Sequence, residues 1–216
     1  NGVDYMQKTT YTNDSLSYAV GVLQASGLMP FLNETFAVDS AQVEAVIDGI
    51  GDVVENTSDS KKAYFAGVGV GTQLSDQVVK MLNTRLFAAD SVNGLSTETF
   101  LRTFVATAKG EETAMTAQEA KGYIDAQVKL IQTGTAQVDA ALCDTLSQAF
   151  AIMQAQGFNT YMLEAKGIDS TKIDKVYQGI LDNLDLNASD KAYNVGVNIG
   201  DQILDQILPY IQSDLF

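Results

Sequence analysis

The sequence predicts an all-α protein, a helical bundle of two tandemly repeated, pseudo-symmetric halves. Apolar residues recur at helical spacing along the chain, no convincing strand alternation is present, and only two of 216 residues are proline. Residues 14–53 also align with 144–183 without a gap, and residues 60–87 align with 189–216. A duplication of this kind decides the fold class, because each repeat buries its apolar face against its neighbour.

Capping residues and apolar spacing predict five helices in the first half. Gly27 is expected to end the first helix, and Asp39 with Ser40 to cap the second. Ser96 opens the fourth helix. Thr116 and Glu119 form a capping box at the fifth, in which each side chain accepts a free backbone N–H of the other residue. The five helices are expected at about 12–28, 39–53, 59–86, 96–110 and 116–131.

The second half is predicted to repeat this scheme in a shorter form. Thr133-Gly134-Thr135 interrupts the helical pattern, which places one half at 12–133 and a C-terminally shortened half at 134–216. Asp185 and Asn187 begin like a calcium loop, but its sixth and twelfth positions lack the required Gly and Glu, so we expect a helix-capping loop. Helices are expected at about 136–157, 169–183 and 189–214, with a kink at Pro209.

The composition argues against several classes of function. A net charge of −14 opposes binding to nucleic acid or to an anionic membrane surface. The chain contains no histidine, which removes histidine-based catalysis and histidine metal sites. No apolar run is long enough for a membrane span, and no pair of carboxylates is marked out for acid–base work. We therefore predict no catalytic residue, cofactor or metal ion, and we expect Cys143 to be a buried hydrophobe.

A glycine-bearing helix occurs once in each half, at Ser60–Gln73 and at Ser189–Gln202. Glycine inside a helix costs about 1 kcal/mol relative to alanine, so a compensating contact is expected. The simplest compensation is another helix backbone lying against the glycine face; a ligand approaching the backbone is the alternative. The glycines lack the G-x-G-x-x-G spacing and the preceding strand of a dinucleotide site. The predicted helix-contact residues are Tyr64, Gly67, Gly71, Tyr193, Gly196 and Gly200.

Three motifs in order carry a family resemblance. Ser58-Asp59 is followed by Lys62-Ala-Tyr64, Gly67, Gly71 and Gln73-Leu74; Leu95-Ser96-Thr-Glu-Thr-Phe100 runs on to Gly110; and Met115-Thr-Ala-Gln-Glu-Ala120 comes last. This segment, about a third of the chain, resembles the domain N-terminal to FKBP-type peptidyl-prolyl isomerases. The resemblance implies an all-helical domain of exported bacterial proteins that dimerises through intertwined helices and can assist the folding of clients. It also implies a periplasmic or outer-surface location, with a leader removed.

The resemblance does not extend to catalysis, because no part of the chain resembles the β-sheet isomerase module of that family. We expect a non-catalytic assembly and client-binding module whose partners are unfolded proteins. Two alternatives remain open: an accessory front part of a longer isomerase, or a protein that binds a small apolar ligand in its helical interior. The two halves are expected to pack against each other within one chain, which favours a monomer over the dimer of the family.

Overall fold

The computed structural model describes residues 27–87 and 92–206. Within these residues the chain forms helices and no strand, which confirms the predicted all-α class. The helices are α1 (Leu28–Phe36), α2 (Val43–Val54, after a 3₁₀ turn at Ser40–Gln42), α3 (Asp59–Gln73), α4 (Lys80–Leu86, joined to α3 by a π-helical segment at Leu74–Val79), α5 (Thr97–Lys109), α6 (Ala117–Gln132), α7 (Ala140–Gln154), α8 (Phe158–Lys166), α9 (Ile173–Leu181) and α10 (Ala188–Gln206).

Side-chain caps fix several helix starts as the sequence predicts. The Ser96 hydroxyl accepts the N–H of Thr99 at 3.1 Å and begins α5. At α6 the Thr116 hydroxyl accepts the N–H of Glu119 at 3.2 Å, while the Glu119 carboxylate accepts the N–H of Thr116 at 2.7 Å. The predicted capping box is therefore confirmed. In the predicted capping loop, the side chain of Asn187 accepts the N–H of Asp190 at 2.9 Å.

The sequence prediction missed the short helices α1 and α8, and it therefore carried the helix predicted at 136–157 too far. Gly27 adopts a φ of 70° and directly precedes α1, which begins at Leu28. Gly157, with a φ of 74°, precedes α8 in the same way, so the helix predicted to end there stops at Gln154. Pro30 lies in the first turn of α1, where its missing N–H costs no helical bond.

Other predicted boundaries shift by a few residues. The predicted helix at 59–86 is continuous, but residues 74–79 take the wider π-helical turn. The helix predicted at 169–183 is shorter, because turns occupy residues 170–172 and 182–183. The helix predicted before Gly27, part of the turn predicted at 88–94 and the predicted kink at Pro209 lie outside the described residues.

Helices from the two halves share one interior. Helix α2 packs on α10, α9 packs on α3, and α3 also packs on α10, while α7 packs on both α5 and α6. Cys143 on α7 is buried in the largest apolar cluster, as predicted. Each half therefore covers apolar surface of the other. The largest fully buried side chains include Phe36, Phe100, Phe104, Leu146, Met162 and Ile180.

Candidate functional site

A close glycine contact joins α2 of the first half to α10 of the second. A β-carbon added at Gly49 would lie 2.8 Å from the backbone nitrogen of Val197. One added at Gly196 would lie 2.8 Å from the carbonyl carbon of Val46. Real β-carbons do not approach backbone atoms this closely, so glycine at both positions allows the two helix backbones to touch.

A second glycine contact joins α9 of the second half to α3 of the first. A β-carbon at Gly67 would lie 2.8 Å from the carbonyl carbon of Val176, and one at Gly179 would lie 2.6 Å from the nitrogen of Val68. The two contacts use equivalent positions, because Gly49 aligns with Gly179 and Gly67 aligns with Gly196 in the repeat. Gly49 and Gly179 were not among the predicted contact residues, although their identity in the alignment was a signal for them.

The two predicted contact tyrosines bind aspartates on the opposite half. The Tyr64 hydroxyl donates to Asp182 at 2.8 Å, and the Tyr193 hydroxyl donates to Asp52 at 2.6 Å. Burial and then the Asp182 carboxylate raise the pKa of Tyr64 to about 12. Burial and then Asp52 also raise the pKa of Tyr193. Both hydroxyls therefore stay protonated at neutral pH and act as hydrogen-bond donors that tie the halves together.

The remaining two predicted glycines also face the other half, but their surroundings differ. A β-carbon at Gly71 would lie 2.8 Å from the Ile180 carbonyl oxygen and would overlap the side-chain amide of Asn183. A β-carbon at Gly200 would lie 3.0 Å from the β-carbon of Val53. The space over Gly71 is therefore filled by a polar group and the space over Gly200 by an apolar one.

The polar side of this interface is a hydrogen-bond network that the sequence did not predict, in which Thr72 and Asn194 are buried and Asn183 is half-buried. The hydroxyl of Thr72 donates to Asn183 Oδ1, or to the Val68 carbonyl, each at 3.0 Å. Asn183 Nδ2 donates to the same carbonyl at 3.1 Å, and Asn194 Nδ2 donates to Asn183 Oδ1 at 3.3 Å. Among the described residues no buried side-chain polar atom lacks a partner. A fully satisfied network of this kind rigidifies an interface.

A buried ion pair lies beside the interface, between α8 and α10. Lys166 Nζ lies 2.6 Å from Asp201 Oδ2 and also contacts Asp205 Oδ2. The side chains of Lys166 and Asp201 are only 8% and 16% exposed. Burial alone would lower the pKa of Lys166, but the two carboxylates hold it above its ordinary value. The charged lysine therefore fastens α8 to α10.

The described residues offer little for other kinds of chemistry. They contain no group of three or more His, Cys, Asp or Glu side chains placed to hold a metal ion. Within residues 27–87 and 92–206, no helix is long and apolar enough to cross a membrane. An open pocket of about 230 Å³ lies at the start of α3, and its lining residues are Ser60, Lys61, Tyr64, Lys175 and Gln178.

Comparisons with protein-family models, with curated proteins and with solved structures find no match to this chain. Five close glycine positions, two tyrosine–aspartate bonds and one polar network lie between the two halves.

Proposed function

We propose that the protein is a non-catalytic helical assembly module that holds unfolded client proteins. The proposal follows the resemblance to the domain N-terminal to FKBP-type isomerases, whose helices intertwine in a dimer. Here the pairs α2–α10 and α3–α9 supply an interlocked arrangement within one chain. The same resemblance leads us to propose an exported protein, in the periplasm or at the outer surface of a bacterium.

The observation that carries client binding is a pair of exposed aromatic side chains at aligned positions of the two halves. Phe31 on α1 and Tyr161 on α8 are 46% and 54% exposed. Leu163, also on α8, is 53% exposed. The inner faces of these two short helices are buried through Leu32 and Met162. Each helix thus presents apolar surface to solvent while its inner face fixes it to the core, as a client-holding surface requires.

The client role is tested with the double variant Phe31→Ser/Tyr161→Ser. We expect the wild-type protein to slow the aggregation of a chemically unfolded reporter protein, measured by light scattering, and the variant to lose most of that effect. Leu130→Ser is the control, because Leu130 is 41% exposed and lies on α6 rather than on either short helix. Equal protection by the wild-type protein and the double variant would remove these residues from client binding. No protection by the wild-type protein would remove the client role and leave assembly.

The assembly role predicts a monomer, because each half already occupies the partner surface of the other. Gly49 and Gly179, one from each half, have their backbones covered by the opposite half. Multi-angle light scattering should therefore give the mass of a single chain. A stable dimer over a range of protein concentrations would show that the interface between the halves does not replace the dimer of the resembling family.

A further inference from the structure

The aligned positions Gly69 and Asn198 meet where α3 packs on α10. One half therefore has glycine where the other half has asparagine. The asparagine side chain is 2% exposed, and its Oδ1 would lie 3.5 Å from a β-carbon added at Gly69. The amide nitrogen of Gln73 donates to that Oδ1 at 3.1 Å. We call Asn198 the knob, because its buried side chain lies against Gly69, and Gly69 the hole, because a side chain larger than alanine at that position would compete with Asn198 for the same space.

This difference makes the two halves complementary rather than interchangeable. If two first halves paired in the same geometry, glycine would face glycine, and the space now filled by Asn198 would be empty. Gln73 would also lose its acceptor. If two second halves paired, two asparagines would compete for a space that holds one. Cavities, overpacked side chains and lost buried hydrogen bonds each destabilise an interface.

The polar network adds an independent difference between the halves. The positions aligned with Thr72, Asn183 and Asn194 hold Asp201, Val53 and Phe65. In the native pairing Thr72 of one half and the two asparagines of the other satisfy each other. If two second halves paired, Asn183 and Asn194 would face Asp201 in place of Thr72. If two first halves paired, Thr72 would face the apolar side chains of Val53 and Phe65. Buried polar groups of this kind are a known means of fixing which partners associate.

We propose that the knob Asn198 and the hole Gly69, supported by the Thr72–Asn183–Asn194 network, make the first half select a second half as its partner. The second half can belong to the same chain or to another copy of it, and like halves are rejected. The inference rests on the assembly part of the proposed function and goes beyond it by naming the partner and the residues that choose it. It is independent of client binding.

A double-mutant cycle in the full chain tests the complementarity. Gly69→Asn puts two knobs at the crossing and Asn198→Gly puts two holes there, so each variant should melt lower by on the order of 5 °C. The double variant Gly69→Asn/Asn198→Gly exchanges knob and hole and should recover most of the loss. Gly69→Ala is the control; its methyl group has ordinary contact distances, so the melting temperature should not fall. Additive losses in the double variant would overturn the proposal.

Mixing the two single variants tests partner selection directly, even if neither folds alone. The first half of the Gly69→Asn chain and the second half of the Asn198→Gly chain complement each other, because asparagine at position 69 faces glycine at position 198. The other two halves carry the native Gly69 and Asn198. Refolding an equimolar mixture should therefore give a one-to-one complex by native mass spectrometry, with a higher melting temperature than either variant alone. A mixture that forms no two-chain complex, or forms like and unlike complexes equally, would contradict selection by these residues.

Discussion

The substitution Gly67→Ala is the most direct test of the close helix contact. Its β-carbon would lie 2.8 Å from the carbonyl carbon of Val176, within the backbone of α9. Because that obstacle is backbone and not a flexible side chain, α3 and α9 have to separate. Separation also disturbs the reciprocal contact of Gly179 with Val68.

The size of the effect follows from two opposing contributions. Overpacking a well-packed contact costs about 1–3 kcal/mol, and a backbone obstacle places Gly67→Ala at the upper end. Replacing glycine by alanine within a helix returns about 1 kcal/mol. The net loss should therefore be about 2 kcal/mol, which for a chain of this size lowers the melting temperature by roughly 4–8 °C. Thermal unfolding followed by far-ultraviolet circular dichroism measures it.

Two further glycines calibrate this prediction. Gly69→Ala should keep or raise the melting temperature, because its β-carbon has no neighbour closer than 3.5 Å and the helix propensity improves. Gly196→Ala should lose as much as Gly67→Ala, because its β-carbon meets Val46 as that of Gly67 meets Val176. A Gly67→Ala protein that melts at or above the wild-type temperature would refute the close-contact explanation. Unequal losses at Gly67 and Gly196 would count against the predicted pseudo-symmetry.

Three other variants, and one control variant, probe the polar contacts. Lys166→Met leaves Asp201 buried without its cation and should lower the free energy of unfolding by about 3 kcal/mol in urea titrations. The control is the exposed pair of Lys121 and Asp125, where Lys121→Met should change the free energy of unfolding by less than about 0.5 kcal/mol. Tyr64 has a raised pKa when folded, so its contribution to stability is fully present below the ordinary value of 10.0 and is lost as the pH rises toward about 12. The pKa of Tyr193 is raised as well. In the double variant Tyr64→Phe/Tyr193→Phe, the urea midpoint should therefore fall less steeply with pH above pH 10.0. An unchanged slope would show that these two hydroxyls do not contribute to stability. Thr116→Ala removes the cap of α6 and should cost about 1 kcal/mol in the same titration, whereas no loss would mean that α6 does not depend on its capping box.

The sequence predicted the parts of this fold that are set by local chemistry. Ser96 and Thr116 cap helices where the sequence placed them, because their bonds join residues three apart. Cys143 lies in the core because a small apolar side chain in an apolar helical run has no polar alternative. These predictions need only the neighbouring residues, and they hold independently of how the halves are arranged.

Contacts made by short helices were harder to predict. In α8 the apolar residue Met162 is followed four positions later by Lys166, which breaks the apolar pattern expected of a buried face. The aligned residue in α1 is the buried Phe36. Lys166 can occupy this inner position only because Asp201 and Asp205 of α10 neutralise it, and such partners are not visible from local spacing.

At the interface, a glycine in the sequence shows where a side chain is missing, but it does not show which group of the opposite half fills the space. Gly71 and Gly200 are aligned and identical, so the sequence shows that a side chain is absent in both places. What fills each space is decided by the opposite half, where Asn183 covers one glycine and Val53 the other. Because Asn183 and Val53 are themselves aligned, the repeat keeps the holes alike and varies the groups that enter them. The identical glycines therefore mark where the halves approach closely, and the residues that differ determine which group fills each space.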